Sequence, residues 1–143
     1  MTDVCIDASI AAKWILAEPD TAVALALRAR LVREAARFVA PLHFSVEVTS
    51  AVYGRVRDGI VTLDSAQGAV SRLRAIPVRL TAPPQLGPRA IAIADGFRWK
   101  YAYDAFYLAL AELLDCDLWT ADARLHRDAS ARFPRLRLLS EFR

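Results

Sequence analysis

The sequence predicts an α/β fold, a three-layer α/β/α sandwich around a central, mostly parallel sheet of five strands. Short apolar runs of strand character alternate with longer stretches of helical periodicity along the chain, and that alternation implies parallel strands covered on both faces. The 143 residues are 55% hydrophobic and 24% charged, enough apolar material for one core. Pro, Gly and Asp punctuate the runs without a repeat or a low-complexity linker, so residues 1–143 read as a single domain.

Asp3 to Asp7 is a short apolar run ending in an acid, and Ala8 to Ala17 follows with Ile10, Trp14 and Ala17 at helical spacing. Pro19 stops that helix, and Asp20 is placed to cap Thr21 to Ala36, a long helix whose Val23, Leu27 and Leu31 share one stripe. Phe38 to Ala40 reads as the second strand, and Pro41 opens a third helix that runs to the Asp58-Gly59 stop. Leu63 to Ala75 is a fourth helix with Asp64 as its cap. Pro77 to Leu80 gives the third strand, and Pro83-Pro84 with Gly87-Pro88 marks the clearest loop. Helix Arg89 to Gly96, a turn through Tyr101 and Tyr103, and helix Asp104 to Leu114 come next. Strand Asp117 to Thr120, helix Asp122 to Ala131 and strand Leu136 to Leu139 complete the order.

The charge balance is a formal +3, and 17 of the 19 basic residues are Arg, with only Lys13 and Lys100 besides. Arg suits planar phosphate contacts, which weakly favours a nucleic-acid partner; a GC-rich coding bias explains the same composition. No apolar stretch approaches the ~20 residues of a membrane span, and no basic segment precedes an apolar one at the N-terminus, so a soluble cytoplasmic protein without a membrane role is expected. Cys5 and Cys116 lack metal-ligand spacing and read as reduced, packed small hydrophobes. His43 and His126 match no zinc pattern and read as structural or surface residues.

Four acids stand out by position. Ligands of an open parallel sheet bind beyond the carboxyl ends of its strands. Asp7 ends the first strand, Asp122 follows the strand that ends at Thr120, and Asp104 opens a helix after a polar turn. Each alone is also a good helix N-cap. Glu47 lies within the third helix, with Phe44 and Ala51 on its own face, so partial burial is expected; a salt bridge to an Arg is the simpler explanation. Together the four suggest a shared acidic pocket in a basic chain. Such a pocket repels itself unless a divalent cation neutralises it, and oxygen-only ligands favour Mg²⁺ or Mn²⁺ over zinc.

DASIAAKW at 7–14, PLHFSVEV at 41–48, YDAFYLALAE at 103–112 and LWTAD at 118–122, in this order and spacing, resemble the PIN-domain family, and most closely its VapC-type toxins of bacterial toxin–antitoxin pairs. The resemblance covers almost the whole chain. It implies that Asp7, Glu47, Asp104 and Asp122 form a Mg²⁺-dependent ribonuclease site, with Ser9 and Thr120 beside it. Asp7 and Asp104 are then direct metal ligands, Glu47 and Asp122 direct or water-mediated ones, and Ser9 and Thr120 orienting groups; Ser9 is equally placed to cap its helix. Lys13, one turn beyond Ser9, is within reach of a substrate phosphate or is a surface lysine, and Trp14 beside it reads as core. The resemblance further implies a VapB-type antitoxin lying in a groove of the first three helices, a homodimer through helices of the middle of the chain, and single-stranded or looped RNA as substrate. A metal nuclease acting on DNA, and a catalytically silent binding module, remain alternatives. A phospho-accepting receiver is disfavoured, because Ile6 rather than a second acid precedes Asp7.

Overall fold

The apolar runs pair into one sheet in which every neighbouring pair is parallel. The computed structural model describes residues 1–143. Its first half contains β1 (Asp3–Ile6), α1 (Ala8–Ile15), α2 (Thr21–Arg33), β2 (Arg37–Ala40), α3 (Phe44–Arg57), α4 (Leu63–Leu73) and β3 (Val78–Leu80). Its second half contains α5 (Leu86–Gly96), α6 (Tyr103–Leu113), β4 (Asp117–Thr120), α7 (Ala123–Ala129), β5 (Leu136–Leu138) and a closing 3₁₀ turn, Leu139–Glu141.

The strand order is β3-β2-β1-β4-β5. Val4 faces Phe38 on one side of β1, and Cys5 faces Leu118 on the other. Right-handed crossovers then put the helices that lead toward β3 on one face and those that lead toward β5 on the other. Accordingly α1 packs on α2, α3 and α4, while α6 packs on α5, β1 and β4. The chain leaves β1 in one direction and later returns to its other side, so the switch in strand order lies between β1 and β4. That crevice is where an open parallel sheet offers a ligand site.

Burial follows from these layers. Ile6, Val39 and Leu118 fill the sheet, and Ile10, Phe44, Val48 and Leu108 fill the helix layers, each at most 2% exposed. In α6 the run from Leu108 to Ala111 is buried throughout, which explains why its sequence is nearly all apolar rather than striped.

Several local expectations are corrected. Asp20 makes no cap bond to α2; instead Thr21 Oγ1 donates to the Leu16 carbonyl and accepts from the Glu18 amide, fixing the turn. The cap of α4 is Thr62, whose hydroxyl accepts from the Ser65 amide at 3.1 Å, not Asp64. Helix α2 stops at Arg33 because Ala35 turns left-handed at φ 56°, and its buried stripe is Ala24, Leu27 and Leu31, with Val23 outside it. Helix α3 starts at Phe44 rather than Pro41, while its end at Gly59, φ 73°, is as expected. Helix α5 starts at Leu86, and Pro88 is tolerated because the first turn has no intrahelical donors to lose. Helix α7 ends at Ala129, short of Ala131.

Candidate active site

The carboxyl ends of β1 and β4 place Asp7 and Thr120 side by side. Asp7 continues the ladder, its amide donating to the Trp119 carbonyl at 3.0 Å. Its side chain does not cap α1. Its Oδ2 instead accepts from Ser9 Oγ at 2.5 Å and from Thr120 Oγ1 at 2.8 Å. Each hydroxyl is itself held from behind. The Ala121 amide donates to Ser9 Oγ at 2.9 Å, and the Asp122 amide donates to Thr120 Oγ1 at 3.0 Å. With their lone pairs engaged this way, both hydroxyls are directed to donate to the carboxylate, and such chains reinforce one another. Because both reach Oδ2, Oδ1 is the oxygen that Asp7 presents.

Asp7 is only 6% exposed and pairs with no Arg or Lys. Burial pushes its pKa up from 3.8 to about 6; the Ser9 and Thr120 hydroxyls oppose the rise, and the charges of Asp104 and Glu47 add to it. Asp104 sits in the first turn of α6, after the helix has begun, so it does not cap. Its pKa is also raised, by burial first and then by Glu47 and Asp122, against the pull of Arg124. Asp7 thus feels the charges of Asp104 and Glu47, and Asp104 those of Glu47 and Asp122. Arg124 is the cation nearest them, with Nη2 3.5 Å from Asp104 and 3.7 Å from Asp122, long contacts at the exposed rim.

Asp122 also has a conventional task. Its Oδ1 accepts from the Arg124 and Leu125 amides at 2.9 and 3.2 Å and caps α7. Glu47, at the start of α3, is 31% exposed. The burial expected from Phe44 and Ala51 is only half right, since Ala51 is exposed and the buried stripe of α3 is Phe44, Val48 and Val52. No Arg pairs with Glu47. Its Oε1 accepts from Tyr107 Oη at 2.8 Å and lies 3.1 Å from His43 Nε2.

Lys13 does not face this space. Its ammonium is tied to Glu18 and Asp20, each at 2.8 Å, and Arg55 joins Glu18 from α3 at 2.9 Å. This ion cluster braces α1 against α3, so Lys13 is a structural residue and is not placed for a phosphate. Trp14 is core, donating Nε1–H to the Ala24 carbonyl at 2.9 Å. Cys5 and Cys116 are free and buried.

Sequence reasoning missed the two side chains that contact Glu47, His43 and Tyr107. In the sequence His43 reads as structural or surface, and Tyr107 lies in an apolar helix where an aromatic reads as core. A signal was present: Tyr107 is three residues after Asp104 and His43 four before Glu47, spacings that share a helical face with an acid.

The carboxylates fit a hard divalent cation in kind: all are oxygen donors, they repel one another, and the buried one lacks a basic partner. As they stand, no three of them close into a ready coordination sphere. A cavity of about 390 Å³ between α5, α6 and the segment before β5, lined by Ile93, Phe97, Leu108 and Leu136, includes none of the four acids.

Comparison with known proteins agrees with this architecture. The PIN domain profile matches residues 4–130. Ribonuclease VapC3 of Mycobacterium tuberculosis, from strains CDC 1551 / Oshkosh and ATCC 25618 / H37Rv, is 38% identical over 102 residues, 71% of either chain. The crystal structure of PAE2754 from Pyrobaculum aerophilum superimposes with a TM-score of 0.64 at 20% identity, over 89% of this chain and 86% of that one, a likeness of fold. With a profile match across nearly its full length and a relative this similar, the chain belongs to the PIN domain family, in its VapC-type branch.

Proposed function

We propose that this protein is a metal-dependent endoribonuclease, the toxin of a VapBC-type toxin–antitoxin pair, which hydrolyses RNA phosphodiesters with Mg²⁺ or Mn²⁺ held by Asp7, Glu47, Asp104 and Asp122. The observation that carries the reading is Asp7, a carboxylate 6% exposed, fixed by two hydroxyls, surrounded by acids and paired with no basic side chain. A structural carboxylate in that position would cost stability without return. The name of the VapC3 relative supports the ribonuclease class and the antitoxin partner.

A divalent ion held there would supply positive charge at the scissile phosphate and lower the pKa of the water that serves as nucleophile. The rest of the work falls to the chain. Ser9 and Thr120 hold Asp7 by one oxygen and leave the other available. Asp104 and Glu47 contribute charge from α6 and α3, two helices fixed on the core by Leu108 and Val48. Asp122 shares its carboxylate between the start of α7 and the pocket. Arg124 at the rim is placed to meet the phosphate backbone of an approaching strand.

The antitoxin is read as lying along α1, α2 and α3, and a homodimer as using helices of the middle of the chain. Exposed apolar side chains on these helices, among them Val46 and Tyr53 on α3 and Val32 on α2, are surfaces that association would cover. No helix of the structure is long and apolar enough to cross a membrane.

The test is cleavage of matched single-stranded RNA and DNA by the purified protein in chelator, Mg²⁺ and Mn²⁺. Metal-dependent cleavage of RNA is expected. Cleavage of DNA at the same rate would move the reading to a general nuclease, since carboxylates and metal meet phosphate and not the 2′-hydroxyl. No cleavage of either polymer in any metal would favour the silent binding module.

A further inference from the structure

Glu47 is held by a device that parallels the one on Asp7. A single oxygen, Oε1, accepts from Tyr107 Oη at 2.8 Å and lies 3.1 Å from His43 Nε2, which is hydrogen-bonded to the Tyr103 carbonyl at 3.2 Å. We infer that Tyr107, with His43 behind it, is a positioning residue of the metal site, fixing Glu47 through Oε1 and so leaving Oε2 as the oxygen available to the cation. This rests on the metal reading of the four acids and adds to it two residues outside the carboxylate set.

The placement of Tyr107 argues for a task beyond packing. Its side chain is 0% exposed, a position where Phe would fill the same volume without a hydroxyl to satisfy. The hydroxyl spends its proton on an acid of another helix, 60 residues away in sequence. Tyr107 also follows Asp104 by three residues on α6, so one helix face supplies one acid and the donor that holds another. Burial, with the charges of Asp7 and Glu47, pushes the phenol pKa well above its usual value, so the group stays a donor.

His43 is placed with similar economy. Its Nε2 lies between Glu47 Oε1 and the Tyr103 carbonyl, at 3.1 and 3.2 Å. Both are acceptors, so Nε2 carries the hydrogen whichever charge the ring has. The ring packs edge-on against Phe106 and Tyr107, with centroids 5.4 and 5.3 Å away, which restricts its rotation. Without the Tyr107 hydroxyl and the adjoining His43 ring, Glu47, 31% exposed on a side chain with three rotatable bonds, is free to turn to solvent. Groups that orient a metal ligand in this way are worth about 10–100-fold in metal affinity.

The experiment is Mn²⁺ binding to the full chain, followed by the electron paramagnetic resonance of free Mn²⁺, for wild type, Tyr107→Phe, His43→Phe, Glu47→Gln and the double variant Tyr107→Phe/Glu47→Gln. Tyr107→Phe is expected to weaken Mn²⁺ about 10-fold with the melting curve in chelator nearly unchanged, and to lower kcat on RNA while KM for RNA holds. In the Glu47→Gln background it should have no further effect on Mn²⁺, because it acts through that carboxylate. His43→Phe, at a partly exposed position where a ring of similar shape keeps the packing on Phe106, should weaken Mn²⁺ in the same direction and secures the test should Tyr107→Phe fold poorly. Unchanged Mn²⁺ affinity in both single variants, or an equal loss with and without Glu47, overturns the positioning role. A wild type that binds no Mn²⁺ overturns the metal reading as well, so the two failures are distinguishable.

Discussion

Replacing Asp7 by Asn should make the metal-free protein more stable at neutral pH. Burial and the neighbouring acids raise the Asp7 pKa from 3.8 to about 6, even after the help of Ser9 and Thr120 is included. At 1.36 kcal/mol per pH unit, that rise corresponds to about 3 kcal/mol. A carboxyl with a raised folded-state pKa keeps its proton in the native chain at pH values where the unfolded chain has released it. Its stabilising contribution is therefore full below about pH 4 and lost as pH rises through about 6, which leaves the ionised wild type at a disadvantage above that. Asn keeps the oxygen that accepts from Ser9 and Thr120, removes the charge, and turns an amide toward Glu47 and Asp104. In chelator at pH 7.5, Asp7→Asn should gain up to about 3 kcal/mol, a rise in Tm of roughly 6–12 °C for a chain of this size. About half of the difference should be gone by pH 5. Urea denaturation of both proteins in chelator at pH 7.5, 6 and 5 measures it. A variant less stable than wild type at pH 7.5, or a difference that does not shrink toward acid, would refute the electrostatic account of Asp7.

The other expectations are simpler to state. Asp7→Asn and Asp104→Asn should each lower metal-dependent RNA cleavage about 100-fold or more while circular dichroism shows the fold intact; cleavage retained in both would remove these acids from the chemistry. Thr120→Val leaves the Asp122 amide without its acceptor and takes a donor from Asp7, so it should cost about 1–3 kcal/mol in denaturant, which equal midpoints would contradict. Arg124→Gln removes a rim cation that competes with metal for Asp104 and Asp122; a few-fold tighter Mn²⁺ by calorimetry is expected, with less than about 1 kcal/mol change in chelator stability. Burial pushes the Cys116 thiol up to about 11 and the Cys5 thiol well above its usual value, so iodoacetamide should label neither at pH 8 until the chain is unfolded, as mass spectrometry can record.

Much of the fold was legible because the signals are local. Alternating apolar runs located all five strands to within a residue, with β4 matching at both ends. The strand ends that carry Asp7 and Thr120 followed from the same pattern. The end of α2 was less legible: the periodicity carries it to Ala36, but the helix stops at Arg33 because Ala35 turns left-handed at φ 56°. Nothing in an Ala-Ala pair announces that, whereas Gly59 did. Capping failed where two residues compete for one helix start, as with Thr62 and Asp64, because either side chain suits the role and backbone geometry decides.

Partner choice was the least legible property of the site. Asp7, Asp104 and Asp122 look alike in sequence as helix-start acids, yet only Asp122 caps a helix. Asp7 turns instead to hydroxyls on α1 and β4, a choice set by the β1–β4 pairing. Lys13 is drawn away by Glu18 and Asp20, which depends on the path of the turn after α1. Glu47 finds Tyr107 across 60 residues, and no periodicity within α3 reports on that.

If the acids at the β1–β4 crevice hold a divalent cation, anomalous scattering from crystals grown with Mn²⁺ will locate it. A peak is expected within about 2.0–2.3 Å of carboxylate oxygens of Asp7 and Asp104, with Glu47 or Asp122 bound directly or through water, and no peak in Asp7→Asn crystals grown alike. An empty crevice in well-ordered wild-type crystals at millimolar Mn²⁺, or a peak that persists unchanged in the variant, would contradict the metal reading of these acids.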